Sequence, residues 1–343
     1  MVILSSSQFS LVPNLSLLPH ALQIRLADMT NNMPDPPFGA CIGIIAYDGV
    51  QQSALHGLGE MFDVANRNAQ EDAGRKITHQ ILTPSEIAAA AKLDAIILPP
   101  NLTGARGAED HDLHLWIRDR HLAGTAVCSA CAGSYWLGYA GILDGRPATT
   151  HWALEEDFTS TFPEVHLSPE HILVDDNDIV TAGGVMAWVD LGIHLIGRWL
   201  GPSVVSRTCR QMLIDPTGRE QSNYRSFRPN MGHNDPVIRQ LQLWMESNTE
   251  ADLTVKALAL QTGLTERSLH RKFSNSTDLS INRYVQELRV EKAKGLLELT
   301  VLSISEVCWS VGYQDVSAFN RLFKSISGIS AGEYRHRFKI SAP

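Results

Sequence analysis

The chain has 343 residues, of which 44% are hydrophobic and 19% charged, and its formal net charge at pH 7 is −8. This length allows two or three domains with cores of their own, and the composition is that of a soluble globular protein, which excludes a disordered or fibrous chain. No stretch reaches the roughly 18 uncharged apolar residues of a transmembrane helix, so we expect no membrane partner.

Charge is divided unevenly along the chain. Residues 1–234 carry a net charge of −10, and residues 235–343 carry +2. The second value permits nucleic-acid binding but is too small to predict it alone. An odd set of cysteines predicts no disulfide framework, which favours a reducing cytosol and a cytoplasmic protein. These cysteines are Cys41, Cys128, Cys131, Cys209 and Cys308.

The first 38 residues have neither the basic start nor the small-residue cleavage site of a signal peptide. Residues 29–38, "MTNNMPDPPF", are typical of a polar leader. We therefore expect residues 1–38 to be an N-terminal extension that is disordered or lies upstream of a true start at Met29 or Met33.

Residues 39–214 alternate short apolar runs with helical segments. The runs "CIGIIAY", "KITHQILT", "DAIILPP", "TAVCSA" and "DIVTAG" predict strands, several of them too apolar to have a solvated face. Helices are predicted around residues 55–68, 110–121, 132–140 and 186–200. This alternation predicts an α/β domain of the flavodoxin-like type, with a doubly wound parallel sheet.

One turn of this domain could carry chemistry. In "GTAVCSACAGSYWLGYAGILDGRPATTHW", residues 124–152, a strand ends, small residues permit a sharp turn, and a helix begins at Cys131. Backbone N–H groups at a helix start favour an anion, so the pattern predicts a lowered pKa for this thiol. A ligand with an anionic end would suit the same place, which makes Cys131, Ala132 and Gly133 candidate effector-pocket residues.

This stretch, together with "TAGGVMAWVDLGIHLIGRWLG", resembles the PfpI/ThiJ branch of the class I glutamine amidotransferase-like superfamily. Enzymes of that superfamily place an acidic residue beside the cysteine and often a histidine after it. The resemblance puts His151 at the histidine position, which adds it to the candidate effector-pocket residues. It puts Ala54 at the acidic position, with Glu60 and Asp63 further along the helix. It therefore implies a retained fold without catalysis, and we predict no catalytic residue, metal or cofactor.

Three roles for Cys131 stay open on the sequence: a small buried residue at a tight turn, a pocket-lining residue, or a reactive thiol. Cys128 and Cys131 form a CxxC with no second pair, so no zinc site is predicted. The histidines of the acidic segment at residues 110–121 are predicted to be solvated rather than metal ligands. They are His111, His114 and His121.

Residues 215–234, "DPTGREQSNYRSFRPNMGHN", lack apolar periodicity and predict a flexible linker. In residues 235–338 one pattern then occurs twice, about fifty residues apart, as "LTVKALALQTGLTERSLHRKF" and "ISEVCWSVGYQDVSAFNRLF". Each copy predicts a helix, a glycine turn, a capping residue and a second helix. The turn and cap residues are Gly263 and Thr265 in the first copy and Ser303, Glu306, Gly312 and Asp315 in the second.

The second helix of each copy has two apolar anchors four residues apart, Leu269 with Phe273 and Phe319 with Phe323. Its other face carries side chains suited to base edges, because arginine pairs with guanine and asparagine with adenine, while serine is permissive. These candidate DNA-binding residues are Arg267, His270, Arg271, Ser317, Asn320 and Arg321.

Between the copies, "SINRYVQELRVEKAKGLLEL" predicts a helical rod of roughly 27 Å. It could hold two recognition helices near the roughly 34 Å that separates successive major-groove faces on one side of a duplex. Apolar residues are predicted to face inward and basic ones outward. The inward set is Ile281, Val285, Leu288, Leu296 and Leu297, and the outward set is Arg283, Arg289, Lys292 and Lys294.

Residues 235–338 resemble the AraC/XylS family, most specifically in "GLTERSLHRKF", "RVEKAKGLLEL" and "GISAGEYRHRF", where Ala331 replaces the usual proline. With the N-terminal half, this is the plan of GlxA-type regulators. The resemblance implies a transcription factor, expected to be a homodimeric activator of catabolic genes, that binds double-stranded DNA at promoter half-sites. Its small-molecule effector is expected to be an amino acid or quaternary amine. The alternative is a cysteine-dependent hydrolase or glyoxalase-like enzyme with an appended DNA-binding domain.

Overall fold

The computed structural model describes residues 39–69, 75–102, 107–216 and 219–340. The predictions made for residues 1–38, including a start at Met29 or Met33, lie outside the described residues. Within the described part, no helix is both long enough and apolar enough to cross a bilayer.

A six-stranded sheet with the order β2-β1-β3-β4-β8-β7 forms the N-terminal domain. The five predicted strands are all present and pair in parallel, so the doubly wound prediction is confirmed. The edge strand β7 runs antiparallel and was missed, because "LVDD" is polar and only half-buried. The sheet strands are β1 (Ala40–Ile45), β2 (Ile77–Leu82), β3 (Ala95–Leu98), β4 (Ala126–Ala130), β7 (Leu173–Asp176) and β8 (Ile179–Ala182), and a separate parallel pair is β5 (Pro147–Ala148) with β6 (His166–Leu167).

Helices cover the sheet in two groups. One group packs α1 against α5 and α6, and the other packs α2 against α3. The apolar face of α1 is buried within the domain, whereas its polar face is exposed to solvent. The helices are α1 (Gln52–Asn68), α2 (His111–Leu122), α3 (Ser134–Tyr139), α4 (Glu155–Thr161), α5 (Trp188–Leu200) and α6 (Pro202–Met212).

His114 departs from the prediction of three solvated histidines on α2. Its side chain is buried, with ring centroids 5.3 Å from Tyr139 and 5.5 Å from Trp136. This burial lowers its pKa, so the neutral ring is favoured. Among the described residues no group of three or more His, Cys, Asp or Glu side chains is arranged to hold a metal ion.

The C-terminal domain is all helical, as predicted, and it contains two separate hydrophobic cores. The first core lies among α7, α8, α9 and the start of α10, and the second lies among the rest of α10 and the helices after it. The helices are α7 (Pro236–Ser247), α8 (Val255–Thr262), α9 (Glu266–Thr277), α10 (Ile281–Leu299), α11 (Ile304–Ser310), α12 (Val316–Ser327) and α13 (Ala331–Phe338).

The rod α10 is confirmed, and its inward apolar residues are buried except Leu296, which is half-buried. Two of its four basic residues do not point outward as predicted. Lys294 is 5% exposed, with Nζ 2.5 Å from the Arg225 carbonyl oxygen. Arg289 donates to the carbonyl oxygens of Thr249 at 3.0 Å and Ala251 at 2.9 Å. Long aliphatic stems allow both residues to reach buried acceptors from the helix surface.

The predicted linker contacts both domains. We call residues 219–228 the strap, which includes a single 3-10 turn at Gln221–Asn223. Within it, Gln221 and Asn223 are each 2% exposed, the first bonded to the N-terminal domain and the second to α12. The composition correctly indicated little regular structure, but it gave no sign of these contacts.

Candidate nucleic-acid interface and candidate ligand site

The first repeat folds as a helix-turn-helix. Gly263 ends α8 with φ +67°, a left-handed conformation in which a side chain would be strained. The Thr265 hydroxyl then accepts a hydrogen bond from the Ser268 N–H and begins α9. Leu269 and Phe273 are fully buried, so they fix one face of α9 against its neighbours and leave the other face outward.

The second repeat has the same plan. Ser303 and Glu306 form a capping box at the start of α11, and Gly312 turns the chain with φ +84°. The Asp315 carboxylate caps α12 by accepting from two backbone N–H groups, 2.8 and 3.1 Å away. Phe319 and Phe323 are fully buried. The predicted caps, turns and anchors of both repeats are therefore present.

The predicted DNA-binding side chains lie on the outward faces of α9 and α12. Five of the six are exposed, and Asn320 is half-buried. None of their side chains forms a hydrogen bond or ion pair with another described residue. Their guanidinium, imidazole, amide and hydroxyl groups are thus available to an external partner.

A neighbouring cation on α9 is already engaged. The Lys272 ammonium lies 2.7 Å from the carboxylate of Asp235, the residue that caps α7. This ion pair lowers the pKa of Asp235 and joins α9 to α7. Lys272 therefore supports the position of α9, whereas Arg271 beside it is unpaired within the described residues.

In the N-terminal domain, Cys131 occupies the predicted sharp turn between β4 and α3. Its φ is +53°, which is strained for a residue with a side chain. Gly133 follows where a Cβ would lie 2.1 Å from the Leu98 carbonyl oxygen, so only glycine fits there. Cys131 is 4% exposed and Ala132 is 8% exposed. We call residues 131–133 the elbow.

The prediction of a lowered Cys131 pKa is wrong. Burial raises the pKa of this thiol to about 11, and a hydrogen bond from the Ala132 backbone only partly offsets this effect. The sequence correctly located a helix start but could not reveal how completely the thiol is removed from water. At neutral pH the neutral thiol is strongly favoured, as in a structural cysteine.

His151 follows Thr150, the residue whose hydroxyl bonds to the elbow. Its Nδ1 accepts the Ala153 N–H at 3.0 Å, while the Thr150 hydroxyl donates to the Cys131 carbonyl oxygen at 2.9 Å. Burial and the nearby Arg228 lower the pKa of His151. Among the described contacts, no hydrogen bond joins Cys131 Sγ to the imidazole.

No carboxylate stands at position 54, where the resemblance places the acidic residue. Ala54 is fully buried, whereas Glu60 and Asp63 are exposed on the other face of α1. Sequence reasoning missed Gln51 just before α1, which is 7% exposed and whose Oε1 has no hydrogen-bond partner among the described residues. The backbone N–H of Gln51 donates to the Pro100 carbonyl oxygen, which places Gln51 at the carboxyl ends of β1 and β3. A neutral amide there cannot act as a general base.

The rate of alkylation by iodoacetamide can test the assignment of Cys131 as an unreactive thiol. At pH 8, a thiol with a pKa near 11 has about 100-fold less thiolate than one with a pKa near 9, so its alkylation by iodoacetamide should be correspondingly slow. Peptide mass spectrometry measures the rate at Cys131 in the folded protein and, as a control, in concentrated urea. Equal rates in the two states would contradict the assignment, because the folded thiol would then react as readily as an unfolded one, and a faster rate in the folded protein would show an activated thiol.

Comparisons with known proteins agree with this two-part structure. The helix-turn-helix domain family matches residues 258–337, and the DJ-1/PfpI family matches residues 58–197. The chain is 30% identical over 229 residues to the HTH-type transcriptional regulator CdhR of Pseudomonas aeruginosa, covering 66% of this chain and 68% of CdhR.

Two further regulators show the same extent of similarity. The HTH-type transcriptional regulator ArgR of Pseudomonas aeruginosa is 29% identical over 226 residues, which covers 66% of this chain and 68% of ArgR. The HTH-type transcriptional regulator GlxA of Rhizobium meliloti is 28% identical over 226 residues, covering 65% of this chain and 69% of GlxA. In each case the match extends over more residues than either domain family alone.

Proposed function

Because the chain belongs to the AraC-type family of helix-turn-helix transcriptional regulators that carry a DJ-1/PfpI domain, we propose that it activates catabolic genes by reading two neighbouring major-groove segments. Activation of catabolic genes rests on the resemblance, and one observation carries the reading of DNA. Each recognition helix presents an exposed arginine two residues before a fully buried phenylalanine, Arg271 before Phe273 and Arg321 before Phe323. The buried ring fixes the helix, and the arginine extends from the opposite side.

Each of the six predicted DNA-binding side chains has a proposed role at the duplex. The two arginines pair bidentately with guanine, Asn320 pairs with adenine, and Ser317 contacts either base or phosphate. Arg267 and His270 lie near the start of α9 and complete the first reading face. The rod α10 has 19 residues and a length of about 29 Å, which suits half-sites on one side of a duplex.

Removing the two arginines singly tests this assignment. Arg271→Ala and Arg321→Ala should each weaken binding to a cognate duplex by about 1–3 kcal/mol and relax discrimination at one base pair. Binding is measured at one fixed salt concentration on a duplex selected from a random pool and on random DNA.

Lys92→Ala is the matched control, because it removes one exposed positive charge from the N-terminal domain. It should leave the affinity for the selected duplex unchanged. If an arginine variant lost affinity equally on selected and random DNA, that arginine would be a phosphate contact and not a base reader.

We also propose that the N-terminal domain is a sensor without catalysis. The buried thiol of high pKa and the buried Ala54 support this role over the hydrolase or glyoxalase-like alternative. The expected effector is an amino acid or quaternary amine that binds near Cys131, Ala132, Gly133 and His151. Turnover of a small amide or aldehyde that is lost in Cys131→Ser would instead establish the enzyme.

An effector can change transcription only if it binds two arrangements of the protein with different affinities. We propose that the protein is a cytosolic homodimer and that the effector alters how its DNA-binding domains meet two half-sites. A panel of amino acids and quaternary amines, screened by thermal shift of the full chain, tests the sensor role. If no compound changed either the melting temperature or DNA binding, the protein would be a DNA binder without an effector.

A further inference from the structure

The side chain of Gln221 is inserted into the N-terminal domain. Its Nε2 lies 3.1 Å from Thr149 Oγ1, 2.7 Å from the Thr150 carbonyl oxygen and 3.0 Å from the His171 carbonyl oxygen. Its Oε1 accepts the Trp152 N–H at 3.0 Å. The amide is therefore fully satisfied in a buried site, which we call the cradle and define as residues 149–152 with residue 171.

The domain leaves space for this side chain. Gly183, the residue after β8, is placed so that an added Cβ would lie 1.9 Å from Gln221 Nε2. The backbone of the strap is also held, because the Gln221 N–H donates to the Glu170 carbonyl oxygen at 2.9 Å. Side chain and main chain together fix this turn in the N-terminal domain.

Two residues later, the strap holds the end of the second recognition helix. Asn223 Nδ2 donates to the carbonyl oxygen of Ser327, the last residue of α12, at 2.9 Å. Asn223 Oδ1 accepts from Arg337 at 3.2 Å, and Arg337 also donates to the Tyr224 hydroxyl at 2.9 Å. A Cβ added at Gly328, which has φ +78°, would lie 2.8 Å from Asn223 Nδ2. The helix end is therefore shaped around the strap.

Further contacts hold the strap to both sides. Arg225 forms an ion pair with Glu155 of the N-terminal domain at 3.0 Å, and its carbonyl oxygen accepts from the buried Lys294 of α10. Arg219 lies 3.0 Å from the Asp190 carboxylate of α5. The strap thus contacts the N-terminal domain and the second helix-turn-helix within ten residues.

Gln221 and Asn223 are the first and last residues of one short 3-10 turn, so we expect a displacement of one to move the other. On the domain side, Thr150 accepts from Gln221 through its carbonyl oxygen and bonds to the elbow through its hydroxyl. A continuous series of contacts therefore joins Cys131, Thr150, Gln221, Asn223 and Ser327. Withdrawing a buried amide leaves several partners unsatisfied, which favours an inserted or a withdrawn turn over intermediate positions.

We propose that Gln221 and Asn223 are positioning residues that couple the elbow to the second recognition helix. When Gln221 is seated in the cradle, Asn223 holds the carboxyl end of α12 in place. When the cradle changes shape, Gln221 withdraws from it together with the rest of the turn. The carboxyl end of α12 then loses its connection to the N-terminal domain. This inference rests on the proposed function, because it describes how the sensor acts on DNA reading.

Hydrogen exchange of the full chain, without DNA or effector, tests the coupling. In Gln221→Ala, the amides of residues 327–330 should exchange about tenfold faster or more, together with those of the strap, while the amides of β1 to β4 keep their protection. In Asn223→Ala, the amides of residues 149–152 in the cradle should exchange faster, so that the coupling is seen in the opposite direction. The double variant should exchange at residues 327–330 no faster than Asn223→Ala, because both changes break the same connection.

Gln240→Ala is the matched control, since it truncates an exposed amide on α7. It should leave both regions unchanged. If Gln221→Ala raised exchange at residues 149–152 alone, the strap would be an anchor without coupling. If Gln221→Ala unfolded the N-terminal domain, the test would rest on Asn223→Ala. Unchanged exchange at residues 149–152 in Asn223→Ala would overturn the proposal. Failure to bind DNA would affect none of these results, so the two proposals are tested separately.

Discussion

Phe319→Ala is expected to unfold the second helix-turn-helix while the first stays folded. Phe319 is fully buried, and its ring centroid lies 5.8 Å from those of Phe323 and Tyr313. Truncating such a ring costs about 3–5 kcal/mol of unfolding free energy. The loss should stay within the second unit, because the two cores of the C-terminal domain are separate clusters.

Hydrogen exchange in increasing urea measures the stability of the two units separately. Arg321→Ala, on the outward face of the same helix, should change stability by less than about 0.5 kcal/mol. Phe319→Leu should lose less than the alanine variant because it leaves a smaller cavity. If α9 and α12 lost protection together in Phe319→Ala, the rod would transmit unfolding and the units would be one cooperative domain.

Arg289→Ala is expected to weaken binding to a duplex with both half-sites more than binding to one half-site. The guanidinium of Arg289 donates to two carbonyl oxygens in the loop before α8 and lies 5.1 Å from the centroid of the Tyr313 ring. Arg289, which belongs to the rod α10, therefore connects the first helix-turn-helix to the turn of the second. Each carbonyl group left without a donor costs about 1–3 kcal/mol.

Competition binding with duplexes of one and two half-sites, at several half-site spacings, measures this effect. Arg289→Lys should also lose affinity, since one ammonium cannot reproduce the forked geometry. Lys292→Ala removes a positive charge from the exposed face of the same rod and is the control. A loss in Lys292→Ala as large as that in Arg289→Ala would assign the effect to charge and not to the geometry of the two units.

The parts of this structure that were predictable are local in sequence. A cap such as Asp315 bonds to N–H groups two and three residues away, and a turn such as Gly312 needs only its own backbone conformation. The apolar runs of the parallel strands are equally direct, because a strand buried on both faces has no polar alternation. For these reasons both helix-turn-helix units and the five parallel strands could be predicted.

The parts that were missed depend on distant partners. Lys294 was predicted to be solvated because its side chain is charged, but it reaches a carbonyl oxygen 69 residues earlier in the chain. Asn223 bonds to a residue 104 positions later, and nothing in "EQSNYRSF" indicates this. For Cys131, the sign of the pKa shift depended on whether burial or the backbone N–H had the larger effect, and only packing decides that.

The seated Gln221 has a further consequence for how a response would begin and end. Both halves remain parts of one polypeptide, so release of the turn is not a dissociation into two molecules. The freed half stays tethered at an effective concentration in about the millimolar range. Its return within one chain would then be a first-order process whose rate does not vary with the amount of protein in the cell.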